Sequence, residues 1–133
     1  MKKIFFILIA VSLLSISCSE SSPCNDSYSN LIGTWIWESS SGGIAGVTET
    51  PASTGGHKKL VFIKEGRMIS YNNNVETGNY SYEIRVGKSI YDGSNHYLIY
   101  AENEFSYVVL AVDPSNLKIG DNNYDGLVSS YKK

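Results

Sequence analysis

Cysteine, histidine, basic clusters and long apolar runs are all scarce in this sequence, and each scarcity narrows what the chain can do. Cys18 and Cys24 are its two cysteines, and His57 and His96 its two histidines. No Cys and His spacing among them suits zinc. A nucleophile needs a base and a third group to orient it. Neither a G-x-S-x-G elbow nor any other recognisable set of partners supplies one, so no catalytic residue is assigned and the chain is not read as an enzyme. The glycines at 42, 43, 46, 55 and 56 do not fit a phosphate loop. Basic residues come at most in pairs, Lys58–Lys59 and Lys132–Lys133 in the body of the chain, which argues against nucleic acid as a partner. No cofactor is implied. The longest apolar run, Ile4 to Leu14 with Ser12 inside it, is too short to span a bilayer.

That run has another use. Lys2 and Lys3 precede it, and "LLSISCSE" follows, with small residues Ser15 and Ser17 ahead of Cys18. A basic start, a short apolar stretch and a small-residue end make a signal peptide. The cysteine at its end resembles a bacterial lipoprotein signal. The resemblance implies loss of residues 1–17 and acylation, with palmitate-type chains, of Cys18 at its sulfur and its new amino terminus. Two or more chains make a stable anchor. The expected partner is therefore a membrane, and the expected place the cell envelope, lipid-anchored at the outer membrane. Lys2 and Lys3 leave with the signal, so 13 acids face 9 bases in the remainder. Cys24 is then the one remaining thiol, with no internal disulfide open to it. Residues 18–29, "SESSPCNDSY" at their centre, read as a polar flexible tether. Residues 30–133 are long enough for one domain with a modest core.

Within that domain no window holds a helical period. Nine of the ten tyrosines and many β-branched residues alternate with polar ones between turn signals. The pattern is all-β. It places strands at 32–38, 58–64, 67–72, 76–86, 96–101, 104–112, 117–120 and 127–132, with a short one near 89–91. Glu65-Gly66, Asn72–Asn74, Asp92-Gly93, "DPSN" at 113–116 and Asp125-Gly126 mark the reversals. Strands joined by short loops form an antiparallel meander. About eight of them close into a single small up-and-down β-barrel, which removes the exposed edges.

Both tryptophans fall in "NLIGTWIWESSSGG". Residues two apart in a strand share a face, so Gly33, Trp35 and Trp37 lie together, opposite Thr34, Ile36 and Glu38. Two indoles on one face favour burial, and Gly33 leaves room for a close crossing. "LIGTW" resembles the G-x-W signature of the first strand of lipocalins and related barrels. "WESSSGGIAGVTETPAST", "LVF" and "DNNYDGLVSSYKK" are similar to small lipocalin-like bacterial lipoproteins. The resemblance implies that Trp35 closes the barrel base beneath a basic side chain near the C-terminus, Lys132 or its neighbour Lys133. It also implies a small hydrophobic or amphipathic ligand in the barrel.

Parity suggests what would meet that ligand. Tyr80, Tyr82 and Ile84 share a face, as do Leu60 and Phe62; around Phe105–Leu110 two rows compete and parity does not decide. Core packing explains these aromatics, and so does a pocket lined by Trp37, Phe62, Tyr80 and Tyr82 whose polar groups orient the ligand. Ser39–Gly56, rich in Ser, Gly and Thr, reads as a long loop at one mouth. "DNNYDG" matches half of a calcium loop, but position twelve is Lys132 rather than Glu, so no metal is assigned and the letters read as turn chemistry. Two functions follow: a membrane-anchored ligand binder, or a tethered interaction module with a filled barrel that meets a protein partner through residues 39–56.

Overall fold

The computed structural model describes residues 28–102 and 105–133. The expected signal peptide 1–17, the lipidation site Cys18, Cys24 and most of the tether 18–29 lie outside the described residues, as do Asn103 and Glu104.

Nine strands and one short helical segment follow in chain order: β1 (Gly33–Gly42), β2 (Val47–Glu49), α1 (Pro51–Thr54), β3 (Lys58–Ile63), β4 (Arg67–Asn72), β5 (Val75–Lys88), β6 (Asn95–Ala101), β7 (Ser106–Val112), β8 (Asn116–Asp121) and β9 (Leu127–Lys132). From β3 onward each strand pairs antiparallel with the next. β9 returns to β1, pairing Ile36 with Lys132 and Gly42 with Leu127. The result is a closed antiparallel barrel of eight strands, β1 and β3–β9. Asn73 and Asn74 turn β4 into β5 with φ of 49° and 64°. Those are left-handed values that asparagine tolerates.

Ser39–Gly56 is not the long loop that its composition suggests. Ser39–Gly42 extend β1, whose outer half pairs with β2 on the edge that its first half gives to β3. A register shift between Trp37 and Ser39 breaks the alternation, and beyond it serine occupies the inward position. Ser40 is buried, and its hydroxyl accepts the Trp37 Nε1–H (2.8 Å) and hydrogen-bonds Ser129 Oγ (2.6 Å). A satisfied polar group can replace an apolar one there. α1 has a capping box between Thr50 and Ser53, Pro51 in its first turn and Gly55 at its end with φ 68°.

Leu31, Trp35, Trp37, Phe62, Met68, Ile99, Leu117, Ile119 and Tyr131 fill the interior. Leu31 belongs to the segment that enters β1, and its carbonyl accepts the Trp35 Nε1–H at 2.7 Å. That segment already packs at Tyr28, whose ring meets Tyr97 edge-on at 4.8 Å.

A second apolar cluster lies outside the barrel. Leu98, Val108 and Gly120 stand in one row across β6, β7 and β8. Leu98 and Val108 are buried but do not join the interior cluster. The segment 89–94 folds over this row at Gly120. It is a loop rather than the expected short strand, closed by Ser89 N–H to Ser94 C=O (2.9 Å) and Gly93 N–H to Ser89 C=O (2.9 Å). Tyr91 donates to the Asp121 carbonyl at 2.9 Å, and its ring lies over Gly120, where any Cβ would come within 2.5 Å of the Tyr91 oxygen. β7 is thus apolar on both faces, which is why alternation left its orientation open.

Candidate functional site

The two ends of the barrel differ. At the closed end Lys133 crosses Gly33 so tightly that a Cβ on the glycine would lie 2.9 Å from Lys133 Cε. The Lys133 ammonium then sits 4.6 Å from the centre of the Trp35 ring and donates to the Asn30 carbonyl at 2.8 Å. Lys133, not Lys132, is the basic residue over the floor tryptophan. Lys132 pairs opposite Ile36, which is exposed, so it points outward and meets Glu38 at 2.9 Å.

The other end is a mouth framed by the β1–β2, β4–β5, β6–β7 and β8–β9 connections. Inside it lies a cavity of about 160 Å³, lined by Leu60, Met68, Ser70, Tyr80, Ala101, Phe105 and Tyr107. Leu60 and Ser70 also border an adjoining groove of about 290 Å³, together with Lys58, Tyr71 and Tyr131. These residues arrive there by register: Met68 pairs with Tyr80 across β4–β5, and Leu60 with Ser70 across β3–β4.

Hydroxyls dominate the polar chemistry of this end. Burial pushes the Tyr131 hydroxyl up to about 12; the hydrogen bond with Ser129 works against this, and Tyr107 and Asp121 add to the rise. Tyr107 is raised as well, chiefly by burial and then by the negative charge of Asp121. Desolvation and a neighbouring anion both disfavour the phenolate. At neutral pH the mouth therefore offers protonated tyrosines, able to donate and to accept. The Lys58 ammonium lies 4.2 Å over the Trp37 ring and 3.5 Å from Glu49 Oε2, so its charge is already matched.

The four aromatics expected around a ligand are divided. Tyr80 lines the cavity. Trp37 and Phe62 are buried beneath it as part of the filled interior. Tyr82 meets Phe62 edge-on at 5.3 Å and borders a different groove, of about 500 Å³, at the closed end beside Tyr28, Ile32, Lys64 and Ile84. That groove is the larger, but it lies outside the packed interior. Tyr107 and Tyr131 are the residues that alternation missed. Tyr107 was hidden by the two-faced burial of β7. Tyr131 had a signal, since Ser129 and Tyr131 alternate with Ser130 and Lys132.

"DNNYDG" is used as a turn. Asp121 Oδ2 accepts the Leu127 N–H at 2.9 Å, and Asn122 Oδ1 accepts the Ile90 N–H at 3.0 Å. Among the described residues no three His, Cys, Asp or Glu side chains gather as a metal site, and no helix is long and apolar enough to cross a membrane.

Compared with known proteins, the chain matches no family model, no curated protein and no solved structure.

Proposed function

We propose that the chain is a lipid-anchored, lipocalin-like barrel of the cell envelope that binds a small amphipathic molecule at its tyrosine-lined mouth. The observation that carries this reading is the cavity between Tyr80, Phe105 and Tyr107, left in an interior otherwise filled by its own side chains. Its volume sets the size of the guest. An apolar cavity of about 150 Å³ accepts one benzene ring, so the space suits a ring or a short alkyl group. The polar part of the guest would lie beside the hydroxyls of Ser70, Tyr107 and Tyr131. A long acyl chain does not fit inside.

The test is a titration of the ¹⁵N-labelled chain with ring-sized amphiphiles such as benzyl alcohol, up to about 10 mM. A Kd near 1 mM needs only about 4 kcal/mol, an ordinary return for about eight heavy atoms. Saturable shifts should centre on Tyr80, Ala101 and Tyr107, and Ala101→Leu, which fills the cavity, should abolish them. Absence of any saturable shift would refute the pocket.

A second reading, a tethered interaction module, draws on the rim. Ile44 is 90% exposed and Tyr124 86%. They sit in the β1–β2 and β8–β9 connections, which touch through Gly43 N–H and the Gly126 carbonyl at 3.3 Å. Exposed apolar residues gathered at one place mark contact surfaces. If this reading holds, replacing both by serine abolishes a partner interaction and leaves the ligand titration unchanged.

A further inference from the structure

We infer that the mouth selects a cationic guest, a small organic ammonium ion, with Asp121 as its counter-ion. The inference rests on the ligand-binding reading of the mouth and adds a charge to it.

Asp121 closes β8 in the alternating series that puts Leu117 and Ile119 in the interior. It is half-buried, and across β7–β8 it stands opposite Tyr107, which lines the cavity. Its carboxylate accepts the neutral Leu127 N–H. Among the described residues no ion pair reaches it. Lys58, which borders the adjoining groove, is committed to Glu49 and to the face of Trp37. Lys59 turns to Tyr71, 4.3 Å from its ring. The hydroxyls of Tyr107 and Tyr131 are raised chiefly by burial, and the charge of Asp121 adds to both shifts.

Tyr107, the residue opposite Asp121, shares the cavity wall with further rings. Tyr80, Phe105 and Tyr107 contribute three rings, and the faces of aromatic rings are electron-rich and attract cations. A carboxylate at the rim and π faces in the wall act in the same direction. An ammonium group gains from both, a neutral hydroxyl from hydrogen bonds alone, and an anion is repelled by both. The hairpin bond to Leu127 uses one carboxylate oxygen and leaves the other for a guest.

Three probes of nearly equal size separate the possibilities: benzylamine, benzyl alcohol and benzoate, each titrated into the full chain at pH 7 and low salt. The amine should bind about tenfold or more tighter than the alcohol, a difference of about 1.4 kcal/mol. Benzoate should be weakest, and the preference for amine should shrink as salt is added. Asp121→Asn keeps an oxygen for Leu127. It should bring the amine down to the alcohol while the alcohol itself changes by less than about twofold. Equal binding of amine and alcohol to the wild-type chain overturns the cationic assignment and leaves the pocket standing. Binding of none of the three overturns both. Should Asp121→Asn retain the full preference for amine, the role given to Asp121 is wrong. If that variant does not fold, the comparison of the three probes on the wild-type chain still decides the charge of the guest.

Discussion

The Lys133 ammonium lies 4.6 Å over the ring of Trp35, and its chain crosses Gly33 on the way there. The last residue of the sequence thus seals the floor formed by the first strand. Trp35 is wholly buried and donates to Leu31. Trp35→Ala should cost about 3–5 kcal/mol, a large share of the roughly 5–15 kcal/mol that holds a small domain together. Lys133→Ala should cost about 1–2 kcal/mol through the lost cation–π contact and hydrogen bond. Lys132→Ala, which removes an exposed ion pair with Glu38, should cost less than about 1 kcal/mol. Urea unfolding of the three variants checks the order, and a larger loss at Lys132 than at Lys133 would contradict it.

Gly120 and Tyr91 should be coupled. A methyl group at Gly120 collides with the Tyr91 ring, so Gly120→Ala should cost about 1–3 kcal/mol and increase hydrogen exchange across 89–94. In a Tyr91→Ala background the same substitution should cost markedly less. A double-mutant cycle measures the difference; a coupling near zero would mean that Tyr91 does not pin the loop.

Alkaline pH should loosen the barrel through Tyr131. The folded chain keeps that proton to about 12, whereas an unfolded tyrosine loses it near 10. Between those values the unfolded state binds fewer protons, so stability is full below about pH 10 and falls as pH rises toward 12. The loss from this group alone is up to about 2–3 kcal/mol. Tyr131→Phe should flatten that part of the pH–stability curve. An unchanged slope between pH 9.5 and 11.5 would show that another group is responsible.

The proposed anchor has a direct test at Cys18. Cys18→Ser should abolish acylation and release the protein from membranes. If the variant stays with membranes after a high-salt wash and the wild-type chain carries no acyl group by mass spectrometry, the anchor is excluded.

Much of the barrel was legible because its strands alternate and its turns carry Gly, Asn and Asp where the backbone needs them. Residues 79–84 alternate plainly, and within β5 their burial alternates with them. What stayed hidden has physical causes. The outer half of β1 uses a buried serine, Ser40, where a hydrophobic residue would have signalled burial. α1 is one capped turn, announced only by Thr50, Pro51 and Gly55. The outer face of β7 is buried at Val108, so Val108 competes with Tyr107 for the inward face although it is not an interior residue. At the mouth, alternation put Tyr80 on the inward side but could not give depth, and so grouped it with Trp37, Phe62 and Tyr82. Asp121 looked like a turn residue, which it also is; its place opposite Tyr107 depends on the β7–β8 register, past a bulge between Val109 and Ala111.

The central claim is that a ring-sized guest enters the barrel at its mouth. The most direct measurement is a crystal structure of the chain soaked with benzylamine. The account predicts density for the ring between Tyr80, Phe105 and Tyr107, with the nitrogen toward Asp121. Side chains closed over that space with no guest, or density only in the groove beside Tyr82 and Ile84 at the opposite end, would contradict it.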